Sequence, residues 1–382
     1  MLFNNKLRIT ALLTAAIILL VPLASCSGRV DSVKSFEQLN SEKAAKADSN
    51  VMFRTVMTVD GFNVTYGMYR YYLSQMKYNL RQLDSMRTDE QFWRLPYAET
   101  GLTMKQYAIN QARDAAIQYV IIQRQYAELG LVPTDDFQSS RANLIDNYKL
   151  MYVTDEELSA ALDADGMFIE EISDIQLIAF MFAQIMDALF ADGGAEYISD
   201  DAVKKEYDDN YVRVKHIQLN TFTYDTETGA VTLFDDAQKA AVFQRAEDIF
   251  NRVKNGEDFD AVYLSENDDP SSSAYIDGFV IKRDDEKLEG TPLFDDNFME
   301  AAFEMDVDDV VLIETMYGYD IVKKYDINVP SIIFENKKED IRTLMTERRQ
   351  DALIEEWTLT ADVTEFPAFK EVNFEAIPSQ MY

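Results

Sequence analysis

The 382 residues are enough for two or three domains, and 47% of them are hydrophobic, which allows sizeable cores. Acidic residues outnumber basic ones by 68 to 36, giving a formal net charge of −32 that repels phosphate backbones and excludes nucleic acid as a partner. The chain has one cysteine, Cys26, and one histidine, His216. These two residues allow neither an intramolecular disulfide nor a zinc site of the usual nitrogen and sulfur type, and we expect no metal and no cofactor.

Residues 1–25 have the three parts of a bacterial secretory signal peptide. Lys6 and Arg8 make a basic start, an apolar run follows from Ile9 to Leu20, and the sequence LASC ends at Cys26. The apolar run is short for a membrane span. The sequence LASC matches the lipobox, in which the cysteine thiol receives a diacylglycerol. Since two acyl chains anchor a protein stably, the pattern predicts lipidation of Cys26 and an extracytoplasmic protein on the cell membrane; the alternative is a plain cysteine behind a signal peptide.

Residues 26–54 are polar and weakly periodic, which predicts a tether between the membrane and a folded body. Residues 55–211 then predict a mainly helical domain that opens on two short strands around Asp60-Gly61. Its helices are framed by residues typical of helix starts and stops. These residues are Thr65, Thr103, Gly130, Thr134, Thr154 and Gly166.

Within this domain, residues 168–194 predict one helix that is apolar nearly all round from Ile175 to Met186. This apolar stretch is too short to span a bilayer. Methionine, phenylalanine and isoleucine at this density most often form core. The stretch is therefore either a buried central helix, which we favour, or the floor of an apolar cradle.

The pattern changes at Val212. Residues 212–326 predict the order β-α-α-β-α-β-β, which is typical of an α+β domain. Residues 327–382 predict a helix from about 335 to 360 and an extended segment that packs on the helical domain. The predicted fold class is α+β multidomain, with the α+β domain inserted into the mainly helical one.

Residues 212–326 resemble a parvulin-type peptidyl-prolyl isomerase domain. The resemblance is carried, in chain order, by VKHIQL, VKNGEDFDAVYLS, DGF, NFMEAAFEM and TMYGYDIVKKYD. Before them, VDGFNVTYGMYRYYL resembles the opening of the chaperone half of SurA/PrsA-type extracytoplasmic foldases. In the family's order the similarity runs over about 56–372, and it implies a SurA-like chaperone domain with an inserted rotamase domain.

The resemblance implies a catalytic set. In parvulins two histidines face each other from the first and last strands beneath the prolyl bond; the first is His216, and Asp320 stands at the place of the second. The family's acid or cysteine position falls on Asn267, with Asp268 and Asp269 beside it, and the sequence leaves the choice among these three open.

The resemblance also implies a substrate-binding set. The apolar cup for the proline ring maps onto Phe294 and Phe298, and a polar supporting residue maps onto Thr315. The implied partners are unfolded or partly folded secreted polypeptides and, through the lipid anchor, the membrane.

The implied function is isomerisation of X–Pro bonds in such polypeptides, weakened by the departures at Asp320 and Asn267. The alternative is a non-catalytic holdase that uses a degenerate parvulin domain for binding. A solute-binding lipoprotein is disfavoured because it requires repeated β-α alternation in two lobes. The sequence leaves client proteins and oligomeric state open.

We predict that the mature protein begins at a lipidated Cys26 and faces outward. Mass spectrometry of the membrane fraction should find an N-terminal peptide that starts at Cys26 and carries the mass of the diacylglycerol. An intact N-terminus at Met1, or a released product that lacks Cys26, would contradict this prediction.

Overall fold

The computed structural model describes residues 34–84, 86–98, 100–269, 274–283 and 294–379. The predicted signal peptide, Cys26 and the start of the predicted tether lie outside the described residues. The chain divides into two compact units, the first made of the residues up to Tyr197 with Gln350–Tyr382, and the second made of Ile198–Arg349.

Helices and strands follow one another as the patterns of capping residues and apolar periodicity predict. The helices are α1 Phe36–Lys46, α2 Tyr66–Arg81, α3 Asp89–Trp93, α4 Met104–Glu128, α5 Asp135–Lys149, α6 Asp155–Asp165, α7 Ile169–Gln176, α8 Ile178–Phe190, α9 Asp200–Asn210, α10 Asp236–Lys254, α11 Phe259–Glu266, α12 Asp296–Glu304, α13 Ile332–Thr360 and α14 Pro367–Lys370. The strands are β1 Thr55–Val59, β2 Phe62–Thr65, β3 Tyr211–Asn220, β4 Phe222–Tyr224, β5 Val231–Leu233, β6 Phe279–Lys282, β7 Val310–Thr315, β8 Gly318–Tyr325 and β9 Val363–Glu365.

The first unit is mainly helical around a small antiparallel sheet of order β2-β1-β9. The predicted turn at Asp60-Gly61 joins β1 to β2, and both residues have positive φ. Thr65 and Thr103 cap α2 and α4 as predicted, because each side chain accepts a hydrogen bond from a backbone N–H in the first turn. Apolar side chains of β1, β2, α2 and α4 form one continuous core.

The predicted tether over 26–54 does not hold for the residues from Phe36 to Phe53. They form α1 and a following 3-10 turn, and Leu39 and Phe53 are buried against Phe168. Ser35 and Gln38 form a capping box at the start of α1. The segment's low overall hydrophobicity concealed the few apolar side chains that fix it to the first unit.

The predicted single helix over 168–194 is two helices, α7 and α8, which meet at Leu177 at an angle of 58°. The inner face of α8 is core, because Met181, Ile185 and Leu189 are buried in a cluster with side chains of α4 and α13. Phe180 on the other side of α8 is 46% exposed. In the described part of the chain no single helix is long and apolar enough to cross a membrane, and only the bent pair α7 and α8, taken together, has that length and composition.

The second unit is an α+β fold built on an antiparallel sheet of order β6-β3-β8-β7. Residues of β3 alternate between the faces of this sheet. Ile217 and Leu219 pack with α10 and α11, whereas Val212 and Val214 pack with α12. His216 follows Val214 by two residues and therefore lies on the same face of the sheet as Val212 and Val214, the face that α12 covers.

The second unit begins earlier and ends later than the predicted isomerase domain of 212–326. Val203 and Tyr207 of α9 pack with Phe334 and Ile341 of α13 beside Val280 of β6. This apolar cluster ties both flanking helices to the sheet. The β-hairpin of β4 and β5 was not predicted, because its short strands are exposed on both faces and show no apolar alternation. The predicted fold class, a mainly helical domain with an inserted α+β domain, is confirmed.

A buried ionic cluster joins α1, α5 and α7 of the first unit. Lys43 of α1 pairs with Glu171 of α7, and both side chains are almost fully buried. The Nε of Arg141 lies 2.6 Å from Oδ1 of Asp174, and its Nη2 donates to Oδ2 at 2.7 Å. Burial raises the pKa of Asp174 to about 7, Arg141 opposes this shift, and Glu171 and Glu170 add to it.

This raised pKa predicts how the free energy of unfolding depends on pH. The folded chain binds the Asp174 proton more tightly than the unfolded chain, so the stability from this group is complete below about pH 4 and is lost as pH rises through about 7. Asp174→Asn cannot ionise, and the loss in thermal midpoint between about pH 5 and about pH 8 should be smaller in this variant than in the wild type.

Circular dichroism melts at constant ionic strength measure this difference. Asp146→Asn, on the exposed side of α5, is the matched control and should keep the wild-type pH dependence. An unchanged pH dependence in Asp174→Asn would show that Asp174 is ionised throughout and held so by Arg141.

Candidate functional site

His216 occupies a buried position in the middle of the sheet. It lies on β3 opposite Val322 of β8, and the next residue of β3 on the same face, Gln218, lies opposite Asp320. The imidazole and the Asp320 carboxylate are therefore diagonal neighbours on one face, within reach of a direct contact. The His216 side chain is 5% exposed and the Asp320 side chain 2%.

Asp320 links His216 to Thr315. Its Oδ1 lies 2.7 Å from Nδ1 of His216, and its Oδ2 accepts a hydrogen bond of 2.7 Å from the Thr315 hydroxyl. A carboxylate whose two oxygens both accept requires the proton of the first contact to be on Nδ1 of the ring. The network fixes the imidazole in one orientation and satisfies the buried carboxylate.

Aromatic rings surround the imidazole on the same face. The ring centroids of Phe279, Phe294 and Phe298 lie 5.2, 5.5 and 5.2 Å from that of His216. Phe294 and Phe298 are stacked on each other, with centroids 4.1 Å apart. Phe298 is 2% exposed and Phe294 is half-buried, so Phe294 is the more accessible ring of the stack.

Asp295 holds this aromatic stack against the polar network. As the N-cap of α12, its Oδ1 accepts from the backbone N–H of Phe298 at 2.9 Å. Its Oδ2 accepts from the N–H of Met316, directly after Thr315, at 2.7 Å. One side chain thus joins the helix that carries Phe298 to the turn that follows β7.

Asn267 lies next to the backbone of β3 and not among the rings. Its amide N–H donates to the His216 carbonyl at 2.7 Å, and its side-chain oxygen accepts from the Gln218 N–H at 2.9 Å. The pairing of β3 with β6 ends at Val214, and the backbone groups of β3 beyond that point need other partners. Asn267 and the following Asp268 supply them, so the role of Asn267 in the structure is to extend the edge of the sheet.

Asp269, two residues later, is a second acid near the ring, on the side opposite to Asp320. Its Oδ2 lies 3.8 Å from Nε2 of His216. Its backbone N–H donates to the side-chain oxygen of Asn267 at 3.0 Å, which orients the loop. Burial, and to a smaller extent the nearby carboxylates of Asp269 and Asp260, raise the pKa of Tyr263 to about 12. The Tyr263 phenol is therefore neutral at physiological pH.

The site offers an apolar ring face beside one oriented imidazole and two carboxylates. In the residues that the structure describes, no group of three or more His, Cys, Asp or Glu could hold a metal ion. The arrangement can remove water from a ligand and hold an apolar ring in a fixed position. Both effects act on a bond rotation without a nucleophile or a proton transfer.

Five of the predicted site residues come together in the structure. These residues are His216, Asp320, Thr315, Phe294 and Phe298. Asn267 is adjacent, with its side chain engaged by backbone, and Cys26 lies outside the described residues. Sequence reasoning missed Phe279 and Asp295, although Asp295 stands directly before α12, where a capping acid is expected.

Comparison with known proteins identifies the second unit. Residues 201–327 match the family described as PPIC-type PPIASE domain, the parvulin class. The predicted resemblance is confirmed, and the match starts earlier than the predicted 212 because α9 belongs to the domain. No curated protein matches the chain.

Solved structures similar to the chain include the peptidylprolyl isomerase PrsA from Bacillus cereus, at 17% identity over 69% of this chain and 89% of that chain, with a TM-score of 0.31. The foldase protein PrsA from Streptococcus pneumoniae is 18% identical over 74% and 98%, with a TM-score of 0.27. A SurA-like chaperone structure from Campylobacter jejuni is 12% identical over 82% and 99%, with a TM-score of 0.26.

Proposed function

We propose that this protein, whose residues 201–327 form a PPIC-type peptidyl-prolyl isomerase domain, is an extracytoplasmic folding factor. It binds unfolded or partly folded secreted polypeptides and catalyses, weakly, the cis-trans isomerisation of their X–Pro bonds. It acts on the outer side of the cell membrane, anchored through lipidated Cys26.

The observation that carries the catalytic proposal is the polar network of His216, Asp320 and Thr315 beside the stacked rings of Phe294 and Phe298. Rotation about an X–Pro bond has a barrier of about 18–20 kcal/mol, which arises from the double-bond character of the C–N bond. A twisted bond loses this character. A site lowers the barrier if it binds the twisted geometry more tightly than the planar one.

The residues present supply two parts of that preference. The half-buried ring of Phe294 holds the proline ring and removes water from the neighbouring carbonyl, which destabilises the charge-separated planar amide. The imidazole, fixed by Asp320, gives the bond a rigid polar neighbour. Where the parvulin pattern has a second histidine, this chain has Asp320, whose carboxylate accepts a hydrogen bond from the His216 imidazole. This altered polarity is the reason for proposing weak catalysis.

The alternative is a binding module within a non-catalytic holdase. One observation favours it: Phe298 is 2% exposed beneath Phe294, so a proline ring has only one aromatic face to meet unless the stack opens. A single face suffices for weak capture of apolar segments.

The chaperone proposal rests on the first unit. Exposed apolar side chains follow the ends of its long helices and the outer side of α8. These side chains are Leu129, Val132, Leu150, Met151, Val153 and Phe180. Exposed apolar side chains that adjoin one another, as Leu150, Met151 and Val153 do along the chain, are typical of surfaces that contact other polypeptides.

We predict slow but measurable catalysis in a proline-limited refolding assay. Uncatalysed isomerisation takes tens to hundreds of seconds, so a weak site accelerates the slow phase visibly at excess protein. Phe294→Ala should lower the acceleration about tenfold through the lost ring contact. His216→Ala should lower it less, because no proton transfer depends on the imidazole, and Asp320→His should raise it by restoring two facing rings.

Phe243→Ala, an aromatic truncation on α10 on the opposite face of the sheet, is the matched control and should leave the rate unchanged. Phe298→Ala should also lower the rate, but it removes buried packing worth about 3–5 kcal/mol, so its rate is compared only for protein shown by circular dichroism to be folded. If the wild type and Asp320→His both leave the slow phase unchanged, the binding-module alternative holds.

We predict that suppression of client aggregation depends on the first unit and not on the isomerase site. A variant with Leu150, Met151 and Val153 changed to serine should suppress aggregation of an unfolded client less and keep the wild-type acceleration of prolyl isomerisation. Light scattering measures the first property and the refolding assay the second.

The control replaces Val231 and Leu233, exposed apolar residues of the β4–β5 hairpin, with serine. It should suppress aggregation like the wild type. The reverse result, with the hairpin variant impaired and the first-unit variant unaffected, would move client binding to the second unit.

A further inference from the structure

We propose that residues 371–378, which we call the strap, cover a peptide-binding groove of the first unit, and that a segment of an unfolded client polypeptide binds there by displacing the strap. The groove takes an aromatic residue followed three residues later by an aliphatic one, the pattern of Phe374 and Ile377 in the strap itself. The inference rests on the proposed chaperone function of the first unit, and it names where and how a client segment binds.

Two side chains of the strap fill the groove. Phe374 and Ile377 are 3% and 2% exposed and belong to the core cluster of the first unit. The Phe374 ring is nearly perpendicular to that of Trp93 of α3, with the centroids 5.0 Å apart. Phe374 begins a 3-10 turn and Ile377 follows it, and side chains three residues apart in such a turn lie one above the other. One turn of chain therefore presents both side chains to the groove.

Two lysines of the groove favour an aromatic ring at the first of these positions. The ammonium groups of Lys77 of α2 and Lys105 of α4 lie 4.4 and 5.0 Å from the centroid of the Phe374 ring. A cation near an aromatic ring adds to the apolar contact, and an aliphatic side chain offers no such interaction. Lys105 also lies 2.5 Å from the carboxylate of Glu375. The groove therefore accepts an acid directly after the aromatic residue.

The groove binds the backbone of its occupant through side chains of α2. The Lys77 ammonium donates to the carbonyl of Phe374 at 2.8 Å and to the carbonyl of Ile377. The Ser74 hydroxyl donates to the carbonyl of Pro378 at 2.8 Å. Lys77 is 4% exposed, and a buried ammonium requires acceptors for its protons. Every polypeptide carries backbone carbonyls, so these donors fit any segment that places its apolar side chains in the groove.

The strap is attached in a different way from the chain before it. The strand β9 pairs with β1 through its backbone, and the N–H of Phe366 continues this pairing to the carbonyl of Val56. Within the strap, the N–H groups of Val372, Ala376 and Ile377 donate to carbonyls three residues earlier in the chain. Such local bonds can persist when the strap leaves. Release of the strap therefore leaves the sheet of the first unit paired, which is typical of a local opening.

The test uses the full mature chain and a fluorescently labelled peptide, EVNFEAIPS, which has the sequence of residues 371–379. In the wild type the strap competes with the peptide at an effective concentration on the order of millimolar, so binding should be weak. Phe374→Ser together with Ile377→Ser removes the side chains that hold the strap. Fluorescence anisotropy should then show an affinity for the peptide raised about tenfold or more. The peptide EVNSEASPS, which lacks both apolar side chains, should not bind.

The matched control is Phe53→Ser. Phe53 is fully buried in another apolar cluster of the first unit, so its loss destabilises the unit without opening the groove, and the affinity for the peptide should stay at the wild-type value. Lys77→Met, added to the strap variant, should cancel the gain because it removes a donor to the peptide carbonyls. Affinities are compared at a temperature at which circular dichroism shows every variant folded. No gain in the strap variant, or an equal gain in Phe53→Ser, overturns the proposal.

Hydrogen exchange of the wild type, followed by mass spectrometry, tests the proposal without any substitution. Amides of the strap should exchange at least about tenfold faster than those in the middle of α2, through an opening that leaves the first unit folded. A saturating amount of a permanently unfolded client, reduced and carboxymethylated lactalbumin, should accelerate exchange in the strap by displacing it. Exchange of the strap and α2 at one rate, or a strap that does not respond to bound client, overturns the proposal.

Light scattering separates this proposal from the proposed chaperone function. Suppression of client aggregation by the wild type, with unchanged exchange in the strap, upholds the chaperone and refutes the groove. Failure to suppress aggregation, with the peptide still bound by the strap variant, refutes the chaperone and upholds the groove. Failure of both measurements refutes both.

Discussion

The alignment of β3 with β8 is the constraint on which the candidate site depends. Their antiparallel pairing sets Gln218 opposite Asp320 and places the His216 imidazole diagonal to that carboxylate. Side chains of a strand alternate between faces, so a shift of one residue would turn Asp320 to the face covered by α10 and α11. Apolar partners on both faces oppose such a shift, with Ile217 in one cluster and Val214 in the other. The same packing that stabilises the sheet therefore positions its buried polar pair.

Hydrogen bonds from side chains to backbone groups join the polar and aromatic halves of the site. A substitution in one half is therefore expected to shift the position of the other. Asp295 connects the start of α12 with the turn after Thr315, and Asn267 fixes the loop that ends in Asp269 to the edge of β3. These hydrogen bonds go to backbone groups and not to the imidazole. Both side chains nevertheless decide where Phe298 and Asp269 lie relative to it, which makes them positioning residues.

Much of the fold was predictable from local signals, because helix caps such as Thr65 and Thr103 act within one turn of chain. The resemblance also brought together His216, Asp320 and Thr315. Tertiary contacts decided the rest. The helix α1 depends on a buried pair between residues far apart in sequence, Lys43 and Glu171. The placement of the Asp269 carboxylate near the imidazole and of the Asn267 side chain on the backbone of β3 depends on where the pairing of β3 with β6 ends. No short-range pattern contains that information.

The most direct test of the account uses the chain's single histidine, which gives one imidazole in an NMR spectrum. In ¹⁵N-labelled protein at neutral pH, the account predicts a proton on Nδ1 of His216, held by Asp320, and shifts of both ring nitrogens when a proline peptide is added. A ring whose Nδ1 carries no proton and whose signals do not respond to a saturating peptide would contradict the central claim that the ordered imidazole lies at the proline-binding site.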